Sequence, residues 1–209
     1  TMAASGAIFV VFVIVHMFGN LKVYLGPDAF NHYAEGLREF GEPFLGYEWF
    51  LWVFRVGLLA FLLIHTVAAW QTSRQSWAAR GQKYKKQEKL VFHYASRTMR
   101  WGGVALLLFV VYHILHLTTG TLHPDFIPGD AYHNFVTGFR SLPVVAVYFA
   151  AMIALGLHLY HGTWSAFQTM GLDGPRIKRW REPVALGVAL LVVLVNLSFP
   201  VAVYTGILQ

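Results

Sequence analysis

Cysteine is absent from this chain of 209 residues. The absence excludes disulfides, thiolate nucleophiles and any iron–sulfur cluster held by the chain's own side chains. Charge is scarce as well. Asp, Glu, Lys and Arg together make up 12% of the sequence, against about 25% in an ordinary soluble domain. With 56% hydrophobic residues and a mean hydropathy of +0.51, much of the surface is expected to meet lipid. No Asp or Glu falls within the long apolar stretches. The first of those stretches lacks both a basic leader and an A-x-A-type site, so no cleavable signal peptide is expected. Aromatic residues, by contrast, are plentiful: 16%, with 7 Trp, which suits the belts at membrane–water interfaces.

A bilayer-spanning helix needs about 20 largely apolar residues. Five stretches qualify, at about residues 3–25, 49–70, 101–119, 143–167 and 183–204. The expected fold is all-α, one domain over residues 1–209, a bundle of five transmembrane helices. Pro143 and Pro183 suit first-turn positions, where the missing N–H costs nothing. The loops set the orientation. Arg74, Arg80, Lys83, Lys85, Lys86, Lys89, Arg97 and Arg100 lie between the second and third spans, and Arg176, Lys178, Arg179 and Arg181 between the fourth and fifth. Those two loops share one side and hold 12 of the 16 basic residues. Asp28, Glu35, Glu39, Glu42, Glu48, Asp125 and Asp130 lie on the other side. The excess of Lys and Arg places the basic side in the cytoplasm, with the N-terminus inside and the C-terminus outside. The net charge of +6 therefore reads first as topology, and no nucleic-acid partner is expected. A short interfacial helix is expected around Phe30–Phe40.

Histidine is the unusual ingredient. Six of the ten lie within spans: His16, His65, His113, His116, His158 and His161. Ionisable groups at membrane depth are costly and face the bundle interior for a reason. A single one is as readily a hydrogen-bonded core residue as a ligand, so the distribution matters more than any member. The first helix offers His16, the second His65, the third His113 or His116, the fourth His158 or His161, and the fifth none. At about 1.5 Å per residue, His16 and His113 sit roughly 20 Å from the cytoplasmic face, in the outer half. His65 and His158 sit in the inner half, a level about 10 Å away. Two histidines at each of two levels is the arrangement of two stacked bis-histidine haems. Such ligation leaves no open iron position and suits electron transfer. His-x-x-His read alone would suggest zinc or copper, as in a haem-free metal-ion transporter, but two histidines without further ligands make a weak zinc site. Gly57, Gly102, Gly103, Gly156 and Gly162 suit close packing around a flat cofactor, or ordinary small-residue helix packing.

Four segments carry a family resemblance: Phe-Val-Ile-Val-His-Met-Phe-Gly-Asn-Leu ending at Leu21; Leu-Ile-His-Thr around His65; Arg100-Trp-Gly-Gly leading to Tyr-His113; and Leu-His158-Leu-Tyr-His-Gly-Thr-Trp-Ser-Ala-Phe-Gln-Thr-Met-Gly ending at Gly171. With these, the chain resembles the single-subunit, di-haem cytochrome b membrane anchor of succinate:quinone oxidoreductases, the succinate dehydrogenases and fumarate reductases. The resemblance selects His158 over His161, as the histidine four residues before Gly162, and His113 over His116, ten residues after the glycine pair. It implies two haem b groups, an inner one on His65 and His158 and an outer one on His16 and His113. It also implies an iron–sulfur subunit on the cytoplasmic face carrying a flavoprotein with FAD, a quinone acceptor expected to be menaquinone, and a bacterial cytoplasmic membrane. The succinate site would lie on another chain. A di-haem anchor of a hydrogenase or formate dehydrogenase is the alternative in the same chemical class.

Haem propionates are anions and need donors near the surface. Arg74, Arg97 and Arg100, with Trp164 and Gln168, are the candidates at the inner end; Asn20, Lys22 and Arg38 are those at the outer. Each could equally be an interfacial side chain reaching for water. Glu35, Glu39 and Glu42 are the acids nearest the outer level, where a quinone needs a proton carrier, and read equally as a solvated face. Some fumarate reductases of the family place a glutamate two residues before the fourth-helix ligand; that position is Gly156 in this chain.

Overall fold

The computed structural model describes residues 1–79, 92–172 and 174–209, with the side chains of 92–98 outside the description. Arg80, Lys83, Lys85, Lys86 and Lys89 lie outside the described residues, as does the side chain of Arg97. Among the described residues seven α-helices form: α1 (Met2–Asn20), α2 (Pro27–Glu39), α3 (Trp49–Ala78), α4 (Phe92–His113), α5 (Ala131–Gly138), α6 (Leu142–Thr169) and α7 (Pro175–Tyr204). No strand occurs among the described residues. Five helical stretches are long and apolar enough to cross a membrane: Met2–Leu25, Trp49–Ala78, Met99–Thr118, Leu142–Thr169 and Pro175–Tyr204. The chain is thus an all-α, multi-pass membrane protein.

α6 is the hub. It packs along α7 and α4, and α1 joins it to α3. α3 stands apart, packed closely on α1 and α2 and without one buried residue. Successive spans run in opposite directions, so the start of α1, the end of α3, the start of α4, the end of α6 and the start of α7 share one end. That end carries the basic residues and is called the basic end below. The opposite, capped end is closed by α2 and α5, which pack on each other.

The cap has a polar frame. The Asp130 carboxylate is the N-cap of α5 and accepts from the His133 backbone N–H at 2.9 Å. The same oxygen accepts from the Asn31 amide of α2 at 3.0 Å, while Asn31 accepts from the Tyr132 N–H at 2.8 Å. One asparagine thereby ties both helices through groups that a helix start leaves unpaired. Beneath it Phe30, Phe135, Phe139, Val145, Tyr148, Phe199 and their neighbours form the larger buried cluster. The interfacial helix expected around Phe30–Phe40 occurs as α2; α5 was not anticipated.

Two expectations need correction. Pro183 is not in a first turn: it lies inside α7, whose first turn carries Pro175. An interior proline loses one backbone hydrogen bond, and membrane helices tolerate this where neighbouring helices hold them. Here Ala185, Ala189 and Val192 are buried along the face that α7 packs on the bundle. As a result Arg176, Lys178, Arg179 and Arg181 are helical, not loop, and Arg181 is buried. The second correction is length: α3 runs on to Ala78, so Arg74 is on the helix as well.

Candidate cofactor site

The four spans that carry histidines bring them together in two pairs. His16 of α1 faces His113 of α4, with ring centres 6.0 Å apart and planes at 89°. His65 of α3 faces His158 of α6, with ring centres 6.2 Å apart and planes at 62°. The fifth span contributes none, and α7 packs outside against α6. Two imidazoles on opposite sides of one metal ion, each at about 2 Å, have ring centres about 6 Å apart. Both pairs fit that spacing. All four rings are half-buried.

The surroundings fit as well. Phe12 stacks on His16 at 5.4 Å and 17°, and Phe109 lies beside His113 at 5.8 Å. Phe9 meets His65 edge-on at 5.9 Å. A Cβ at Gly6 would come within 3.4 Å of the His65 ring, and one at Gly103 within 3.9 Å of the His158 ring. Small residues therefore border the second pair on both α1 and α4. Gly57, Gly102 and Gly162 lie on open space. Gly156 does not face the histidines: a Cβ there would meet Val193 of α7 at 2.6 Å. A larger residue at that position would displace α7.

Hydroxyl groups orient two of the rings. Ser5, in the first turns of α1, lies 3.1 Å from the Nδ1 of His65, and its hydroxyl reaches the carbonyls of Met2 at 3.1 Å and Thr1 at 3.2 Å. A serine has one hydroxyl proton. With that proton on a carbonyl, the oxygen accepts from His65 Nδ1–H and leaves Nε2 with the free lone pair. Tyr148 of α6 places its hydroxyl 3.1 Å from the Nδ1 of His113 and 3.0 Å from the Nδ1 of His116. The Nδ1 of His158 is buried with no hydrogen-bond partner, a loss of about 1–3 kcal/mol unless a further group binds the ring.

The doubled histidines differ sharply. His116 is wholly buried, stacked between Tyr112 at 5.5 Å and His123 at 5.2 Å. It sits in a π-helical turn, Ile114–Thr118, that begins directly after His113. Its buried Nε2 edge backs onto Gly138, where a Cβ would come within 3.1 Å of that nitrogen, so no room for a macrocycle is left there. His161 packs beside Trp164 at 6.2 Å.

The remaining sequence candidates scatter. Arg74 lies over Trp70 at 4.9 Å and Arg100 over Trp77 at 4.8 Å, the latter joining α3 to α4 at the basic end. Trp164 lies under the Arg181 guanidinium at 4.4 Å, and Gln168 is exposed. At the capped end Asn20 is half-buried, and Lys22 extends over the Tyr33 ring at 5.5 Å. Arg38 is committed to Glu35 at 3.2 Å and Glu48 at 3.1 Å. Glu35 also accepts from the Tyr47 hydroxyl at 2.7 Å, which holds that phenol above its usual range. Glu39 and Glu42 are exposed. Sequence reasoning missed Ser5, Tyr148 and the buried Arg181. Of these only Arg181, charged and directly after Trp180, left any trace in the sequence.

The fold defines a helical, multi-pass membrane protein whose core histidines meet in two pairs. Comparison with family models matches residues 71–197 to the succinate dehydrogenase/fumarate reductase transmembrane subunit. The chain belongs to that family, and is thus a membrane subunit of a succinate dehydrogenase or fumarate reductase complex, associated with the complex's other subunits. Comparison with curated proteins and with solved structures finds no match.

Proposed function

We propose that this subunit is the di-haem anchor of a succinate:menaquinone oxidoreductase in a bacterial cytoplasmic membrane. The observation that carries the reading is the two facing histidine pairs, at 6.0 and 6.2 Å, in a chain of this family. His65 and His158 would hold one haem b, and His16 and His113 the other. Two such haems supply one-electron carriers between an iron–sulfur subunit and a quinone. Phe9, Phe12 and Phe109, packed against His65, His16 and His113, would help to exclude water from the histidines that would hold the two groups. Arg74, Arg97 and Arg100, towards the basic end from the His65–His158 pair, are the proposed donors to its propionates, with Trp164 beside them. The basic end would face the cytoplasm and receive the iron–sulfur subunit, which carries the flavoprotein with FAD. Oxidation of succinate belongs to those chains.

The hydrogenase or formate dehydrogenase alternative is disfavoured by the family match. A metal-ion transporter is disfavoured because the described residues hold no cluster of three or more His, Cys, Asp or Glu side chains. Reduced-minus-oxidised spectra of the purified complex test the proposal. Two b-type haems per copy of this subunit are expected; one haem, or none, overturns it.

A further inference from the structure

The Tyr148 hydroxyl stands between two imidazoles, 3.1 Å from His113 Nδ1 and 3.0 Å from His116 Nδ1. It has one proton, so it donates to one ring and accepts from the other. Which way the chain of bonds runs depends on His113. If His113 binds iron through Nε2, facing His16, its Nδ1 carries the ring proton and must donate. Tyr148 then accepts from His113 and donates to His116. His116 accepts at Nδ1 and carries its own proton on Nε2, which is buried and has no hydrogen-bond partner.

The relay is fixed on every side. Tyr148 is buried, wedged edge-on against Phe109 at 5.0 Å and Phe139 at 4.7 Å. His116 is stacked on Tyr112 and on His123. His123 is itself fixed: its Nδ1 accepts from the Asp125 N–H at 3.0 Å and its Nε2 donates to the Asn134 carbonyl at 2.8 Å. A Cβ on Gly138 would crowd both His116, at 2.9 Å, and His123, at 3.1 Å. A hydrogen bond taken from the far nitrogen of a metal-bound imidazole fixes the ring's orientation and makes it a stronger donor. A stronger donor favours the more highly charged, oxidised metal.

We propose that Tyr148, backed by His116, is the positioning residue of the His113 ligand: it fixes the ring's tautomer and orientation and lowers the potential of the haem shared with His16. This rests on the di-haem reading above.

The test is a redox titration of the whole purified complex, followed in the haem absorbance. The component that His16→Ala removes is the one held with His113. In Tyr148→Phe, which keeps the ring and deletes only the hydroxyl, that component should titrate higher by about 59 mV, a tenfold change in its oxidised-to-reduced ratio. The other component should not move, which controls for folding. His116→Phe, which keeps a ring in the stack but removes the acceptor, should move the same component in the same direction by less. Loss of only the His16-dependent haem in Tyr148→Phe also supports the proposal, since the deleted atom is one hydroxyl oxygen. Both components at their parent potentials in Tyr148→Phe would overturn it while leaving the di-haem reading intact. A parent complex without two haems would fell both.

Discussion

The two histidine pairs have nearly the same spacing and very different supports. At the capped end, His113 is held by Tyr148, and behind Tyr148 stands the larger buried cluster, drawn from α2, α5, α6 and α7. At the basic end, His65 is held by one serine from the first turns of α1, and the His158 Nδ1 has no hydrogen-bond partner among the described residues. The buried residues described near this end are few: Ser5, Leu159, Arg181 and Ala185. α3, which supplies His65, has none. One pair is therefore organised by the chain itself. The other joins the hub α6 to α3, a helix without a buried residue, at the end where the family's other subunits are proposed to dock. The same chemistry is built once with an internal scaffold and once with a surface that docking can adjust.

The largest effect that tests this comparison is loss of a whole cofactor. His65→Ala and His158→Ala should each abolish the same spectral component, and His16→Ala and His113→Ala should each abolish the other. If His65→Ala and His158→Ala removed different components, the pairing across 6.2 Å would fail. The supports predict a further asymmetry. Dissociating the other subunits should loosen the haem on His65 and His158 first, read as its selective bleaching, while the capped-end haem persists.

Ser5→Ala is the next test, smaller because it deletes a support and not a ligand. It removes the only side chain that accepts from His65 Nδ1 among the described contacts. The potential of the basic-end component should rise and that of the capped-end component stay. Second-shell losses of this kind run to about 10–100-fold in metal affinity, so weaker retention of that haem on dilution is expected too. An unchanged component would mean that Ser5 does not orient the ring.

Much of this was readable in advance because helical depth is arithmetic. A rise of about 1.5 Å per residue puts His16 level with His113 and His65 level with His158 without any knowledge of packing, and apolar length marks the spans. What was not readable is contact across the bundle. Tyr148 meets His113 from 35 residues away and Ser5 meets His65 from 60; no periodicity encodes such encounters. Nor does residue type reveal which of two histidines is accessible. His113 and His116 share a hydroxyl, yet of the two only His113 faces an imidazole from another span, while His123 of the loop stacks on His116. Pro183 misled for a related reason. A proline signals a helix start by local geometry alone, whereas in α7 packing against α6 carries the helix through it. α5 was missed because eight residues are too few for a period, although Asp130 is an ordinary N-cap signal.

Asn134 tests how far the cap supports the capped-end pair. Its side chain is buried and closes a two-way bridge with Ile127, donating to its carbonyl and accepting from its N–H, both at 2.8 Å. Its own backbone carbonyl holds His123. Asn134→Ala removes both bonds to the exposed Ile127, at about 0.5–1.5 kcal/mol each. Hydrogen exchange should accelerate in the loop before α5, and the capped-end haem signal should broaden or shift slightly. The basic-end component should be indifferent, since nothing in this bridge reaches His65 or His158; a response there would break the division into two supports.

The smallest effect is a dependence on pH at the cap. The Asp130 carboxylate lies below the usual carboxylate range, first because the His133 N–H bonds to it and then because the Asn31 amide does. A carboxylate whose folded pKa is depressed adds stability above its unfolded pKa, about 3.9. That stability is lost as pH falls through the lower, folded value. The link between α2 and α5 should therefore be at full strength at pH 7, begin to weaken below about pH 4 and be gone once Asp130 is protonated. Exchange protection of α5 should fall over that window in the parent. In Asp130→Asn, whose amide cannot ionise, protection should start lower and change less over the same range. His133 and the neighbouring Asp125 also interact, at 3.2 Å, so the comparison is between the two proteins at each pH and not between pH values in one. Equal slopes in the two proteins would show that another group sets the acid sensitivity of the cap. The supports at the two ends would then differ in packing alone and not in charge.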